Sequence, residues 1–151
     1  MKLSGASSVE IAAATERCRA VLVDLGGYAD WFPGVKTAEV VDAADGAPTA
    51  RLLFSTGRGV VPDTQCVLRY DASAPTRLVP SVLEGALSIG GPGWTLEALE
   101  PERTRVRYDV ALEMNVPGGF LAERALSGQA RKLLIELPVA RLREYVEGAA
   151  P

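Results

Sequence analysis

The chain has 151 residues, 48% of them apolar and 23% charged, with a net charge of −3 and a pI near 5.1. That length suits one domain burying about two-thirds of its unfolded surface. The acidic balance and scattered arginines exclude a nucleic-acid stripe, and no apolar run approaches the roughly 18 residues of a membrane span.

Histidine is absent. This removes the commonest general base near neutral pH and every His-ligated metal site. Cys18 and Cys66 form no CxxC or metal-like spacing, so no metal, cofactor or redox pair is expected. Met-Lys-Leu-Ser-Gly at the N-terminus lacks the apolar centre of a signal sequence, and a cytoplasmic location is expected.

Ser7–Ala13 reads as the first strand, with Val9 and Ile11 on one face. Thr15 is the expected N-cap of a helix that places Cys18, Val21, Leu22 and Leu25 on one apolar face. Gly26–Gly27 ends it. A short second helix carries Tyr28 to Phe32, and Pro33–Gly34 stops it. Such a two-part helix between strands plugs the end of a curved sheet.

From Val35 the period becomes two. Strands are expected at Val35–Val41, Thr49–Thr56, Asp63–Tyr70, Arg77–Gly85, Trp94–Leu99 and Thr104–Met114. Gly57–Arg58–Gly59 reads as a bend. Pro80 marks an edge or a bulge. The last strand alternates most cleanly: Val106, Tyr108, Val110, Leu112 and Met114 against Arg105, Arg107, Asp109, Ala111 and Glu113. A long helix follows from about Phe120 to Glu147, with Leu126, Ala130, Leu133, Leu134 and Leu137 as its stripe and a kink at Pro138. The fold class is α+β: a curved seven-stranded antiparallel sheet around a long C-terminal helix, with two short helices after the first strand. The space between sheet and helix becomes a pocket.

Three motifs stand in order around these elements: Asp24-x3-Tyr28-x2-Trp31-x-Pro33-x-Val35, Gly93-Trp94-x-Leu96, and Thr104-Arg105-Val106-x-Tyr108-x-Val110. With them, the chain resembles the START-like (Bet v 1-like, SRPBCC, helix-grip) superfamily, in its bacterial polyketide cyclase/dehydrase and coenzyme Q-binding branch. The resemblance runs over essentially the whole chain. It implies a single START-like domain over residues 1–151, whose cavity holds a hydrophobic or amphipathic molecule. It implies no reaction.

The ligand-binding candidates follow from the faces. Phe54, Leu68, Val82, Leu96, Val110, Leu112, Phe120, Leu126, Ala130 and Leu133 are the apolar wall, and in part simply the core. Trp31 is open between pocket rim and core, whereas Trp94 weighs toward strand core. Tyr108, with a hydroxyl on the apolar face, is the first polar candidate for orienting a ligand, and Tyr70 the second. Glu84 shares its predicted face with Val82 and Leu78, and is a buried carboxylate with a raised pKa if that face points inward. Arg58 reads first as a surface turn residue and second as a contact at the pocket entrance. Arg51, Arg69, Arg105 and Arg107 belong to a solvated outer face.

The expected function is binding of a lipid, quinone or polyketide-like aromatic, with no catalytic residue assigned. The alternative is an aromatase/cyclase or dehydratase that positions a polyketide and uses Tyr108, Arg58 or Glu84. A third reading is an interaction protein acting through its surface. No nucleic acid and no stable membrane insertion are expected. The ligand and the oligomeric state stay open.

Overall fold

The computed structural model describes residues 1–55, 63–115 and 119–148, without the side chains of Phe120 and Ala122. Among these residues one antiparallel sheet runs in the order β1-β7-β6-β5-β4-β3-β2. Its strands are β1 (Lys2–Ile11), β2 (Val35–Asp42), β3 (Thr49–Phe54), β4 (Thr64–Asp71), β5 (Arg77–Gly85), β6 (Ser88–Glu100) and β7 (Arg103–Glu113). Two short helices, α1 (Thr15–Val23) and α2 (Tyr28–Trp31), follow β1, joined by a 3₁₀ turn at Leu25–Gly27. The C-terminal helix comes as α3 (Gly119–Arg131), a π turn (Lys132–Glu136) and α4 (Leu137–Gly148). This is the expected helix-grip fold.

Period-2 alternation decides the faces. On β7, Val106, Tyr108, Val110 and Leu112 are buried, while Arg105, Arg107 and Glu113 are exposed. The outer face carries charge. Glu10 of β1 pairs with Arg103 and Arg105 of β7, and Arg105 also reaches Glu97 of β6 at 3.4 Å. The two guanidiniums, Arg103 foremost, hold the Glu10 carboxyl below its usual value. Asp109 pairs with Arg107 of its own strand, at 3.6 Å.

Three boundaries differ from expectation. First, β1 begins at Lys2, not Ser7, because β7 pairs with it along its whole length, from Lys2 opposite Glu113 to Ile11 opposite Thr104. Residues 2–6 are weakly apolar, and the partner strand holds them extended. Second, β6 begins at Ser88. The run Gly90–Gly91–Pro92–Gly93 stays in the strand as a register shift, with Gly91 and Gly93 at φ 92° and 78°. Third, Thr15 is the first helical residue, not the cap, and its hydroxyl lies 3.2 Å from that of Thr104.

The break in the long helix has a local cause. Pro138 has no N–H to give to residue 134, and its ring crowds that carbonyl. The backbone inserts a π turn just before it, in which Leu137 donates to the Lys132 carbonyl. The extra residue rotates the apolar stripe. Leu134, Ile135, Val139, Leu142 and Val146 are buried, whereas Leu126, Ala130 and Leu133 are only half-buried and Tyr145 is exposed.

The helices grip unequally. The π turn and α4 pack on β1 and β7, and α1 on β6 and β7. Arg17 donates to the Val146 carbonyl at 2.8 Å, tying α1 to the end of α4. By contrast, α3 packs chiefly against the π turn and makes no comparable contact with any strand. Its ties to the sheet include Arg131, which donates to the Ser4 carbonyl at 2.8 Å, and Glu123, which pairs with the N-terminal ammonium of Met1 at 2.9 Å. Among the described residues α3 thus leans on the sheet less than the π turn and α4 do.

Candidate functional site

The interior divides along the strands into three zones. Near the Glu100–Arg103 turn it is closed: Cys18 and Leu22 of α1 are buried over Ile11, Leu96 and Val106. The middle is an aromatic layer. Toward the other end, opposite α3, lie Leu3, Leu68, Val82, Ile89, Val110 and Leu112.

The aromatic layer draws on α2, β3, β4, β6, β7 and α4. Trp94 stacks on Tyr108 with centroids 4.1 Å apart. Trp31 from α2 meets Trp94 edge-on at 6.1 Å and Tyr28 at 4.8 Å. Phe32 lies parallel to Tyr28 at 5.6 Å and presents edges to Phe54 and Tyr108, each at 6.2 Å. Tyr145 of α4 covers Trp31 from outside. Such offset and edge contacts each add about 0.5–1.5 kcal/mol beyond area burial.

The polar atoms of the layer are partly matched. Trp94 Nε1 donates to the Tyr70 hydroxyl at 3.1 Å, and the Tyr28 hydroxyl donates to the Leu22 carbonyl at 2.5 Å. Tyr108 is 1% exposed, and its hydroxyl stands outside these two bonds. Burial pushes all three phenols up, Tyr70 to about 12 and Tyr28 and Tyr108 well above the ordinary 10.0. It also raises the Cys66 thiol to about 11.

These shifts predict an alkaline limit. A phenol whose folded pKa lies above its unfolded value stabilises the fold fully below about pH 10 and loses that contribution as pH rises toward 12. The melting temperature should stay level up to about pH 10 and then fall, with the 295 nm phenolate absorbance rising with unfolding. Full ionisation of every tyrosine in the still-folded protein at pH 10 would contradict the buried layer.

The candidates fall into place as follows. Trp31, Trp94 and Tyr108 meet in the layer, and Phe54 joins them through Phe32. Leu68, Val82 and Val110 lie on the α3 side of it, with Leu126 and Ala130 half-buried on α3. Leu96 lies on the closed side, under α1, and faces no open space. Arg58 and the Phe120 side chain lie outside the described residues.

Glu84 is a correction. It is exposed, not a buried carboxylate on the Val82 face. Val67 pairs with Glu84 but Leu68 with Val82, so Leu83 is an extra, unpaired residue. A one-residue bulge switches every following side chain to the opposite face. Leu78, Pro80 and Val82 point inward, and Glu84 points out.

Sequence reasoning missed Leu3 and Ile89, which flank Leu112 on the inner face. Their segments carry no clear alternation, and only the pairing with β7 reveals them. Among the described residues, no group of three or more His, Cys, Asp or Glu is placed to hold a metal ion, and no helix is long and apolar enough to cross a membrane.

The family model for polyketide cyclase / dehydrase and lipid transport matches residues 3–147. The chain belongs to this family. Solved structures with the family's fold include a protein of Thermus thermophilus, 21% identical over 99% of this chain and 100% of that one, with a TM-score of 0.82. The Zhui aromatase/cyclase of a Streptomyces species is 22% identical over 98% of this chain and 84% of that one, TM-score 0.61. A STAR-related lipid transfer protein of Xanthomonas axonopodis is 19% identical over 93% and 83%, TM-score 0.66. At these identities the likeness is one of fold. No sequence among curated proteins matches the chain.

Proposed function

We propose that this protein binds and carries a hydrophobic small molecule, a lipid, quinone or polyketide-like aromatic, between the sheet and α3. The ligand lies against Leu68, Val82, Val110 and Leu112, with Leu126 and Ala130 above it and the Trp94–Tyr108 stack as its floor. The observation that carries this reading is the make-up of the buried shell. Among the described residues no aspartate, glutamate, lysine or arginine is buried as a whole. The shell's polar side-chain groups are those of Thr49 and Thr104, the phenols, the thiols and the indole N–H groups, and burial keeps the phenols and thiols protonated at neutral pH. Such walls favour apolar transfer, at about 25 cal/mol per Å² buried, over proton abstraction, which needs a group poised near the working pH.

A second reading has one observation in its favour. The Tyr108 hydroxyl, on the inner face of β7 and outside the two hydrogen bonds of the layer, would donate to a ligand carbonyl and orient a polyketide for cyclisation. Both readings place the ligand in the same space, and they differ in whether it leaves changed.

Native mass spectrometry of gently purified protein, followed by organic extraction, tests the proposal. A stoichiometric lipid, quinone or polyphenol is the expected result. A bare protein that takes up no member of a panel of lipids, quinones and aromatic polyketides would overturn it. Conversion of a linear polyketide to a cyclised product, lost in Tyr108→Phe, would favour the cyclase reading.

A further inference from the structure

A charge stands at the edge of the apolar interior. Arg131 is the last residue of α3, exposed, and directly follows Ala130. Its Nη1 donates to the Ser4 carbonyl at 2.8 Å. Ser4 lies on β1, the strand at one end of the sheet. The carbonyl is neutral, so this bond positions the guanidinium without cancelling its charge.

Gly5 shows on which side of β1 the guanidinium lies. Gly5 is opposite Val110, and residues directly opposite share a face of the sheet. Val110 is buried and belongs to the inner face. A Cβ on Gly5 would point to that face and lie 2.7 Å from Arg131 Nη1, with Ile135 Cγ2 at 3.5 Å. Ile135 is a core residue. The guanidinium therefore takes the place of the missing Gly5 side chain, between β1 and the C-terminal helix, on the inner side of the sheet. It fits there because position 5 is glycine.

The surroundings are those of the proposed ligand. Val110, opposite Gly5, is one of its wall residues, and Leu112, opposite Leu3, is the next along β7. Ala130, half-buried above it, precedes Arg131. Arginine presents several N–H donors in a planar fork that matches the oxygens of an acidic group. Here the fork has water on one side and an apolar wall on the other.

We propose that Arg131 holds the acidic group of an anionic amphipathic ligand, an organic acid whose apolar chain or ring system lies against Val110 and Leu112. The inference rests on the ligand-binding reading above and narrows its ligand class from hydrophobic molecules at large to organic acids. Deep in the uncharged shell an acid would lose its hydration without gaining a partner. At Arg131 its charge is paired and stays in contact with water, while the apolar part is buried.

Matched fluorescent pairs test the charge alone. 8-Anilino-1-naphthalenesulfonate and N-phenyl-1-naphthylamine share one ring system, and only the first is an anion. cis-Parinaric acid and its methyl ester share one chain. Each emits more strongly when buried, so titration gives its Kd. Arg131→Gln should weaken the anion of a bound pair by about ten-fold and leave its neutral partner unchanged. Gly5→Ala places its Cβ against the tip of a flexible side chain rather than against backbone. It should displace the guanidinium and weaken the anion alone, and it serves if the first variant fails to fold. Arg124→Gln, which removes another exposed charge from α3, should change neither member. An anion Kd unaltered in Arg131→Gln would overturn the acid site. So would an equal loss for both members, which marks Arg131 as a structural tie only. A wild-type protein that binds only the neutral members would overturn the acid site and leave the ligand-binding reading standing, whereas one that binds none of the probes would overturn both.

Discussion

Trp94→Ala is expected to cost about 3–5 kcal/mol of folding free energy, as loss of a buried aromatic does where the site cannot collapse. Trp94 is 0% exposed. It stacks on Tyr108, meets Trp31 edge-on and donates Nε1–H to Tyr70. Removing the ring empties the centre of the layer and leaves the buried Tyr70 hydroxyl without its donor. The backbone cannot fill the space, because β6 is held to β7 by Trp94 opposite Tyr108 and Thr95 opposite Arg107. For a chain of this size the melting temperature should fall by on the order of 10 °C. Trp94→Phe keeps a ring in the stack and loses the indole donor, so it should cost clearly less. Urea unfolding of both variants checks the order. If Trp94→Ala cost under about 1 kcal/mol, the layer would not be the packed floor described here.

The second large effect is expected at Gly93. Its φ is +78°, and a Cβ there would lie 2.1 Å from the Leu78 carbonyl oxygen and 2.5 Å from Pro80 Cδ. An alanine in the left-handed region costs about 1–2 kcal/mol before any contact is counted. Relieving the clash requires β5 to move off β6 at the two residue pairs that join them. Gly93→Ala should therefore destabilise by more than about 2 kcal/mol. Gly90→Ala, three residues away with open space at its Cβ, should be neutral or stabilising by up to about 1 kcal/mol, through the unfolded chain. Chemical denaturation of the pair makes the comparison. Equal stabilities would mean that β6 does not arch as described. The contrast also separates two roles within one glycine run: Gly93 lets β5 and β6 touch, whereas Gly90 leaves room for a side chain.

Much of the fold is legible in the sequence because local patterns have one solution. Strand β7 alternates without exception, and its faces follow from that alternation. The Cys18, Leu22 and Leu25 face of α1 and its turn is buried as the helical spacing requires. The motifs around Trp31, Trp94 and Tyr108 mark residues that do converge, though their sequence separation hides the contact itself. Other features have no local signal. Residues 2–6 carry little apolar pattern and are extended only because β7 pairs with them. The Gly-Pro-Gly run reads as a break yet stays in β6, because a bulge accommodates it. Period-2 counting puts Glu84 on the wrong face because it crosses the Leu83 bulge without seeing it. The π turn needs Pro138 to be weighed against a carbonyl four residues earlier, and the resulting rotation moves Leu126, Ala130 and Leu133 toward the surface.

By itself, the sequence determined which side chains are apolar, at what period they recur, and where glycine and proline forbid the regular backbone. Those are short-range facts, set by sterics and by the donors each residue owns. Tertiary structure decided the register, the bulge at Leu83 and the short ladder between β5 and β6. Each of these depends on hydrogen bonds or packing between segments distant in the chain. The pairing of Val67 with Glu84 and of Leu68 with Val82 fixes which way a carboxylate points, and no periodicity within β5 alone carries that information.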